Sequence, residues 1–358
     1  MNGLKVSVFF GERDRAGRHS SAEVIARASV AAGVRTGILL RAIEGFGSRG
    51  AVQTERMLTL SEDLPLVWTA VGAPTTVGVL ADTLAALIPQ GLVILERCGI
   101  ADAGQLPGVA HTDPVKLTIT VGRGQRSGGS LSYLRVVDHL RACGLDGAYV
   151  VVGVDGITYG VRHRARLIGT NAAVPAQVVA VGGREQVTRA LGDLAAHGAA
   201  SLVTTERIRV VKRDGVQLAA IDHTPPTDLD GHPVWQMLTL ITREDALVGG
   251  EALYVAMMRE LRTGGARGAT VLAGVWGYSG IGTPHGDSMR RLRRSIPVVC
   301  TCIDTPEAIA RLWPIVDHVT RSGGLITSEI VPAFRTHGPA GSDGRLHLAR
   351  PHRRGKHS

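Results

Sequence analysis

Three short stretches of this chain carry residue types suited to holding a small planar or anionic molecule. In Arg41-Ala42-Ile43-Glu44-Gly45-Phe46-Gly47 an acidic group, a glycine and an aromatic ring stand in succession, and Trp276-Gly277-Tyr278 repeats the glycine and the ring with an indole in the place of the acid. A glycine lets the backbone approach a ligand, and an aromatic neighbour can stack on a flat ring. Arg49 and Gln53 follow the first stretch, and His285 and Asp287 the second, supplying polar groups suited to an anion or an adenine-like ring. The ligand-binding set read from the sequence is therefore Glu44, Gly45, Phe46, Gly47, Arg49, Gln53, Trp276, Gly277, Tyr278 and His285. The competing reading is that the glycine turns the chain and the polar residues coat a solvent loop. That reading is preferred for the third version, Asp155-Gly156-Ile157, with Arg162, His163 and Arg164 beyond it.

Other motifs carry less. Gly122-Arg123-Gly124-Gln125-Arg126-Ser127-Gly128 lacks the G-x-G-x-x-G spacing and a following lysine. His285-Gly286-Asp287 offers two metal ligands without a placed third, so no metal is assigned. Serine, histidine and aspartate occur without a nucleophile elbow. No catalytic residue is assigned, and the chain is read as a non-enzyme.

The pivotal glycines at 45, 156 and 277 lie 111 and 121 residues apart, too far for a solenoid and suited to whole small domains. The first copy reads as strand (4–10), helix (from Ser20 or Ser21 to Gly33), strand (38–43), strand (64–71), helix (from Pro74) and strand (92–95). The others follow the same order. Pro65, Pro175 and Pro297 open strand three, and Glu96, Glu206 and Glu329 fall in strand four. The expected fold is α+β, three tandem ferredoxin-like βαββαβ domains, with both helices of each on one sheet face. Boundaries are 1–100, 115–211 and 235–334, with linkers at 101–114 and 212–234 and a disordered basic tail at 335–358. Each bare sheet face needs cover, and three sheets packed about a common axis supply it, giving a monomer that mimics a homotrimer.

With 44% hydrophobic and only 4% aromatic residues, the core must be aliphatic. The net charge of +9 is concentrated in the tail, which carries +5 beyond Pro332, so no nucleic-acid partner is expected. The absence of a leader pattern or a long apolar run places the chain in the cytoplasm, and its four scattered cysteines read as buried thiols.

Phe10-Gly11-Glu12-Arg13-Asp14-Arg15, Gly45-Phe46-Gly47 and Leu60-Ser61-Glu62-Asp63-Leu64-Pro65-Leu66-Val67 resemble the bacterial and archaeal family called domain of unknown function 190, similar in fold to PII signalling and CutA-type proteins. The third copy keeps the pattern partly and the second is the most eroded. The resemblance implies a trimer of ferredoxin-like units with ligand clefts between neighbours. PII proteins hold a nucleotide beside the loop joining strands two and three, partly with a lysine before the last strand. No such lysine stands in Ile88-Pro89-Gln90-Gly91, His197-Gly198-Ala199-Ala200 or Arg321-Ser322-Gly323-Gly324. The family resemblance itself implies no known activity; the function expected is a regulator that binds a nucleotide or anion in an interdomain cleft and controls a partner, a membrane transporter or channel by analogy with PII proteins. The alternatives are a small-molecule enzyme at the same cleft, a CutA-like metal-binding protein and a structural adaptor.

Overall fold

Alternation along the first strand already sets the architecture. In Asn2–Gly11, Leu4, Val6, Val8 and Phe10 point to one side and pack with helix residues, while Lys5, Ser7 and Phe9 point to the other. Both sides are buried, so the strand must lie between two layers. The computed structural model describes residues 2–47, 53–54, 63–102, 114–166, 171–197, 202–221, 224–280, 284–286, 295–338 and 341–349. Over these the protein is a mixed α+β chain with six helices and largely antiparallel sheets. No helix among the described residues is long and apolar enough to cross a membrane.

Three units share one plan. In unit 1 the strands are Asn2–Gly11, Thr36–Arg41, Pro65–Gly72 and Gly91–Asp102, with helices α1 (Ser21–Ala31) and α2 (Pro74–Leu87). In unit 2 they are Val115–Gly122, Gly147–Val152, Pro175–Gly182 and Leu202–Arg207, with α3 (Ser132–Ala142) and α4 (Arg184–His197). In unit 3 they are Trp235–Arg243, Ala269–Ala273, Pro297–Asp304 and Leu325–Val331, with α5 (Leu253–Thr263) and α6 (Pro306–Val319). In every unit the spatial order is four, one, three, two, all antiparallel.

Local chemistry sets the helix ends. The Ser20 hydroxyl accepts the Glu23 N–H at 3.2 Å to start α1, and Gly33, at φ 73°, takes the left-handed turn after it. Thr305 caps α6 in the same way, and Pro306 stands where a missing N–H costs nothing. The helices cover one sheet face of each unit, giving three aliphatic cores. The opposite faces meet in a fourth, built from Ile38, Leu40 and Val67 of unit 1, Tyr149, Val151 and Val179 of unit 2, and Ile241, Val299 and Leu325 of unit 3.

The tail departs from expectation. Ala333–Gly338 and Gly341–Arg345 form a hairpin, and its first strand pairs with Gly91–Leu95 of unit 1. Phe334 stacks on Trp235 with ring centroids 4.0 Å apart. Only the first two residues of that strand, Ala333 and Phe334, are buried, while Arg335 caps its own hairpin through the Gly344 carbonyl. Residues 350–358 lie outside the described residues. The linker expected from Lys212 likewise begins inside a strand, Arg209–Arg213, in which Lys212 is buried and bonded to Asp317 at 2.6 Å. Strand four of unit 1 runs to Asp102, beyond the expected Leu95.

Candidate functional site

Among the described residues, the short strand after each strand two does not stand free but crosses to a neighbouring unit. Glu44–Phe46 of unit 1 pairs with strand two of unit 3, Asp155–Thr158 of unit 2 with strand two of unit 1, and Trp276–Ser279 of unit 3 with strand two of unit 2. Three exchanges close a ring. A second ring runs through strand four: residues 99–102 of unit 1 pair with unit 2, Arg209–Arg213 of unit 2 with unit 3, and Ala333–His337 of unit 3 with unit 1.

This placement explains the pivotal glycines. A Cβ on Gly156 would stand 2.3 Å from Pro175 Cγ and 2.5 Å from the Gly37 carbonyl oxygen, and one on Gly277 would stand 2.4 Å from the Ala148 oxygen. Gly45 meets Pro65 Cγ at 2.5 Å in the same way. The close approach is to a neighbouring strand and to the proline opening strand three. Each glycine is followed by a knob in the neighbour's core: Phe46 in that of unit 3, Ile157 in that of unit 1 and Tyr278 in that of unit 2. Phe46 is 5% exposed and Tyr278 2%, and the Tyr278 hydroxyl donates to the Leu145 carbonyl at 3.3 Å. Neither ring faces a cleft where a ligand could stack, which corrects the sequence expectation for these two side chains. Glu44 is buried as well, Trp276 half-buried, and Gly47 exposed at the strand end.

Around the seams the sequence-derived residues do come together through their backbones. Gly45 pairs with Gln53, and Gly277 with His285. Arg49 and Asp287 lie outside the described residues. In unit 2 the equivalent hairpin is closed by charge: Arg162 contacts Asp155 at 2.5 Å and reaches across to Glu23 of α1 at 2.8 Å. Asp155 also accepts the Gly156 N–H at 2.8 Å. The hydrogen bond from Arg162 holds the Glu23 carboxyl down at about 2, below its ordinary 4.5, so its contribution is complete above the ordinary value and fades as pH falls towards about 2. Arg162→Ala should therefore cost about 1 kcal/mol at neutral pH, the partly exposed pair being screened, and less near pH 3, where the unfolded carboxyl is protonated while the folded one is still largely ionised. Urea unfolding of both proteins at the two pH values checks this; an equal loss at both would assign the effect to packing.

A second polar constellation sits where the three sheet faces meet. Lys5 pairs in register with Glu96, Lys116 with Glu206 and Met237 with Glu329. The charges form an open chain across all three units. Lys5 Nζ lies 2.9 Å from Glu96 and 2.8 Å from Glu206; Lys116 Nζ lies 2.5 Å from Glu206 and also contacts Glu329. Burial opposes ionisation of Glu206, but the charges of Lys116 and Lys5, helped by their hydrogen bonds, outweigh it and hold the carboxyl at about 2. Burial pushes Glu329 upwards instead. All three glutamates are buried. The sequence marked Glu96, Glu206 and Glu329 as landmarks; the same 111- and 121-residue offsets applied to Lys5 would have paired them with Lys116 and Met237. The cysteines are buried, and desolvation raises Cys98 and Cys302 to about 12, leaving little thiolate at neutral pH.

Fold and site together define a three-copy α+β protein whose copies are interlocked by exchanged strands. The DUF190 family, described as an uncharacterized ACR, matches residues 3–100, 114–210 and 235–333, and the chain belongs to that family as three tandem copies. A UPF0166 protein of Methanocaldococcus jannaschii is 35% identical over 91 residues, spanning 25% of this chain and 83% of that protein. A UPF0166 protein of Aquifex aeolicus is 31% identical over 96 residues, 27% of this chain and 90% of its own length. These relatives correspond to a single unit. A crystal structure of aspartate kinase from Synechocystis aligns with 94% of this chain and 45% of its own at 13% identity and a TM-score of 0.29, too slight a likeness to bear on function.

Proposed function

We propose that the chain is a pseudo-trimer of ferredoxin-like, PII-like units in one polypeptide, working in the cytoplasm as a non-enzymatic regulator. A nucleotide or anion binds at a seam between units, orders the segment after strand two, and so changes docking on a partner protein, a membrane transporter or channel being the class expected. The carrying observation is the cyclic exchange of the strands after Gly45, Gly156 and Gly277, which roots each of those segments in a neighbouring unit. The strand order four, one, three, two in each unit supports the ferredoxin-like reading. A ligand biases such a segment only through different affinities for its two states, and a segment anchored across a seam is placed to convert that difference into a surface change.

The seams are not equivalent. Arg162 fills the one between units 2 and 1, so the ligand is assigned to the seams carrying Gln53 or His285. A thermal-shift panel of nucleotides, cyclic nucleotides and simple anions tests the proposal. A saturating ligand at about 100 times its Kd should add about 2.7 kcal/mol. The expected result is a saturable hit, unconsumed on incubation and weakened by Arg49→Ala or His285→Ala. Turnover of the hit would make the protein an enzyme, and a silent panel on folded protein would overturn seam binding.

A further inference from the structure

The open chain of charges where the sheets meet has five members, Glu96, Lys5, Glu206, Lys116 and Glu329 in order of contact. A lysine at position 237, the counterpart of Lys5 and Lys116, would close it into a ring. Met237 stands there instead and is buried. Three carboxylates thus face two ammonium groups, and each offers an oxygen within 4.8 Å of the others, so among the described residues no ammonium bridges Glu96 to Glu329 as Lys5 bridges Glu96 to Glu206. The Oε2 atom of Glu96 is buried, with the Lys5 ammonium 2.9 Å away as an ion-pair partner but without a well-aligned hydrogen bond, whereas Glu206 takes one from the same ammonium at 2.8 Å. A cavity of about 130 Å³ adjoins the cluster, lined also by the hydroxyl residues Ser7, Thr118, Thr239 and Thr327.

We propose that this cavity binds a monovalent cation, potassium or ammonium, between Glu96 and Glu329, in the place of the missing third lysine. Charge decides the class of ligand. With three glutamates and two lysines an anion would add to an existing excess of negative charge. A divalent ion would be repelled by two ammonium groups already held against the same carboxylates, and it demands a fuller oxygen shell than this. A water molecule could donate to Glu96 Oε2 but would leave the buried charge uncompensated, which is the larger cost. Carboxylate and hydroxyl oxygens are hard donors that suit a hard monovalent ion, and the volume admits an ion with retained water.

The test compares melting of the full chain in potassium, ammonium and choline chloride at equal ionic strength and fixed neutral pH, for the natural protein, Met237→Lys and Glu96→Gln. The methyl shell of choline keeps its charge farther from a carboxylate oxygen than potassium or ammonium comes, so it serves as the poorly fitting salt. The natural protein should melt higher in potassium or ammonium chloride than in choline chloride, by about 2 °C or more for each tenfold rise in cation above its Kd. Met237→Lys supplies its own ammonium and should lose that dependence. Glu96→Gln removes the surplus charge and should lose it too, which keeps the test decisive if the lysine variant fails to fold. Equal melting of the natural protein in all three salts would overturn the proposal and assign the surplus charge to a bound proton. A dependence persisting unchanged in Glu96→Gln would equally overturn it, as a general salt effect.

Discussion

Replacing Phe46 by alanine is expected to cost about 3–5 kcal/mol of stability, the usual loss on emptying a buried aromatic site. The cause is specific to the exchange. Phe46 belongs to unit 1 but is buried among Leu253, Met257, Val271 and Val298 of unit 3, so truncation opens a cavity in a core to which its own unit contributes little else. The strand that carries it is only three residues long, Glu44–Phe46, and its ladder to unit 3 rests on Ala269, Thr270 and Val271. Without the side chain the short ladder has little to hold it. Denaturant unfolding followed by the tryptophans should therefore show a lower midpoint, and residues 44–46 should exchange their amide hydrogens faster than strand one. Phe46→Leu, which keeps much of the volume, should cost less than half as much. A Phe46→Ala loss below about 1 kcal/mol would mean that the crossing strand is not anchored by its knob.

That residue also shows what the sequence could and could not tell. Its equivalence to Ile157 and Tyr278 was legible as a repeat, because the 111- and 121-residue offsets align the glycine and the large apolar residue after it, with the strand-three prolines Pro65, Pro175 and Pro297 one residue away from the same offsets. Helices and strands were legible for the same reason: α6 falls at Pro306–Val319, where proline, the Thr305 cap and the apolar period all agree. Whose core the ring enters was not legible. An exposed aromatic beside a ligand and a buried aromatic in a neighbour's core need the same residue after the same glycine, and only the long-range pairing distinguishes them. The tail failed for a related reason. A strand that completes another unit's sheet through its backbone need bury only a residue or two, and Ala333-Phe334 followed by half-buried polar residues gives no period to register. The axial charges were hidden differently, since Lys5 and Lys116 sit in strands whose alternation makes them look like the solvent face of a sheet. Their enclosure, to 12% and 14% exposure, follows only once three such faces are packed together.

Lys116→Met should be the most costly change to that centre. Methionine nearly matches the lysine in volume and the natural chain already places one at the equivalent position, so the substitution removes a charge without opening a cavity. It leaves three buried carboxylates around the single ammonium of Lys5, and takes from Glu329 the ammonium that contacts it. Breaking a buried pair in this way costs about 3–5 kcal/mol, because the orphaned charge stays desolvated. The pH dependence has a definite sign. Glu329 is already raised by burial in the natural protein, and losing Lys116 raises it further; a carboxyl whose folded pKa exceeds its unfolded one favours folding below the unfolded value and costs stability as pH rises through the folded one. Glu206 works in the opposite sense, held at about 2 by Lys116 and Lys5, so its contribution in the natural protein is present above the ordinary 4.5 and fades as pH falls. Cys98 and Tyr149, the other titrating groups near the cluster, are both raised to about 12 and stay neutral throughout this range. The gap between the natural protein and Lys116→Met should accordingly be widest at neutral pH and narrow as the medium is acidified. Adding Glu329→Gln to Lys116→Met should recover most of the loss at neutral pH, since replacing both partners removes the orphan, and the double-mutant cycle should give a coupling of about 2 kcal/mol or more. Additive losses would mean that Lys116 acts through packing rather than through its charge.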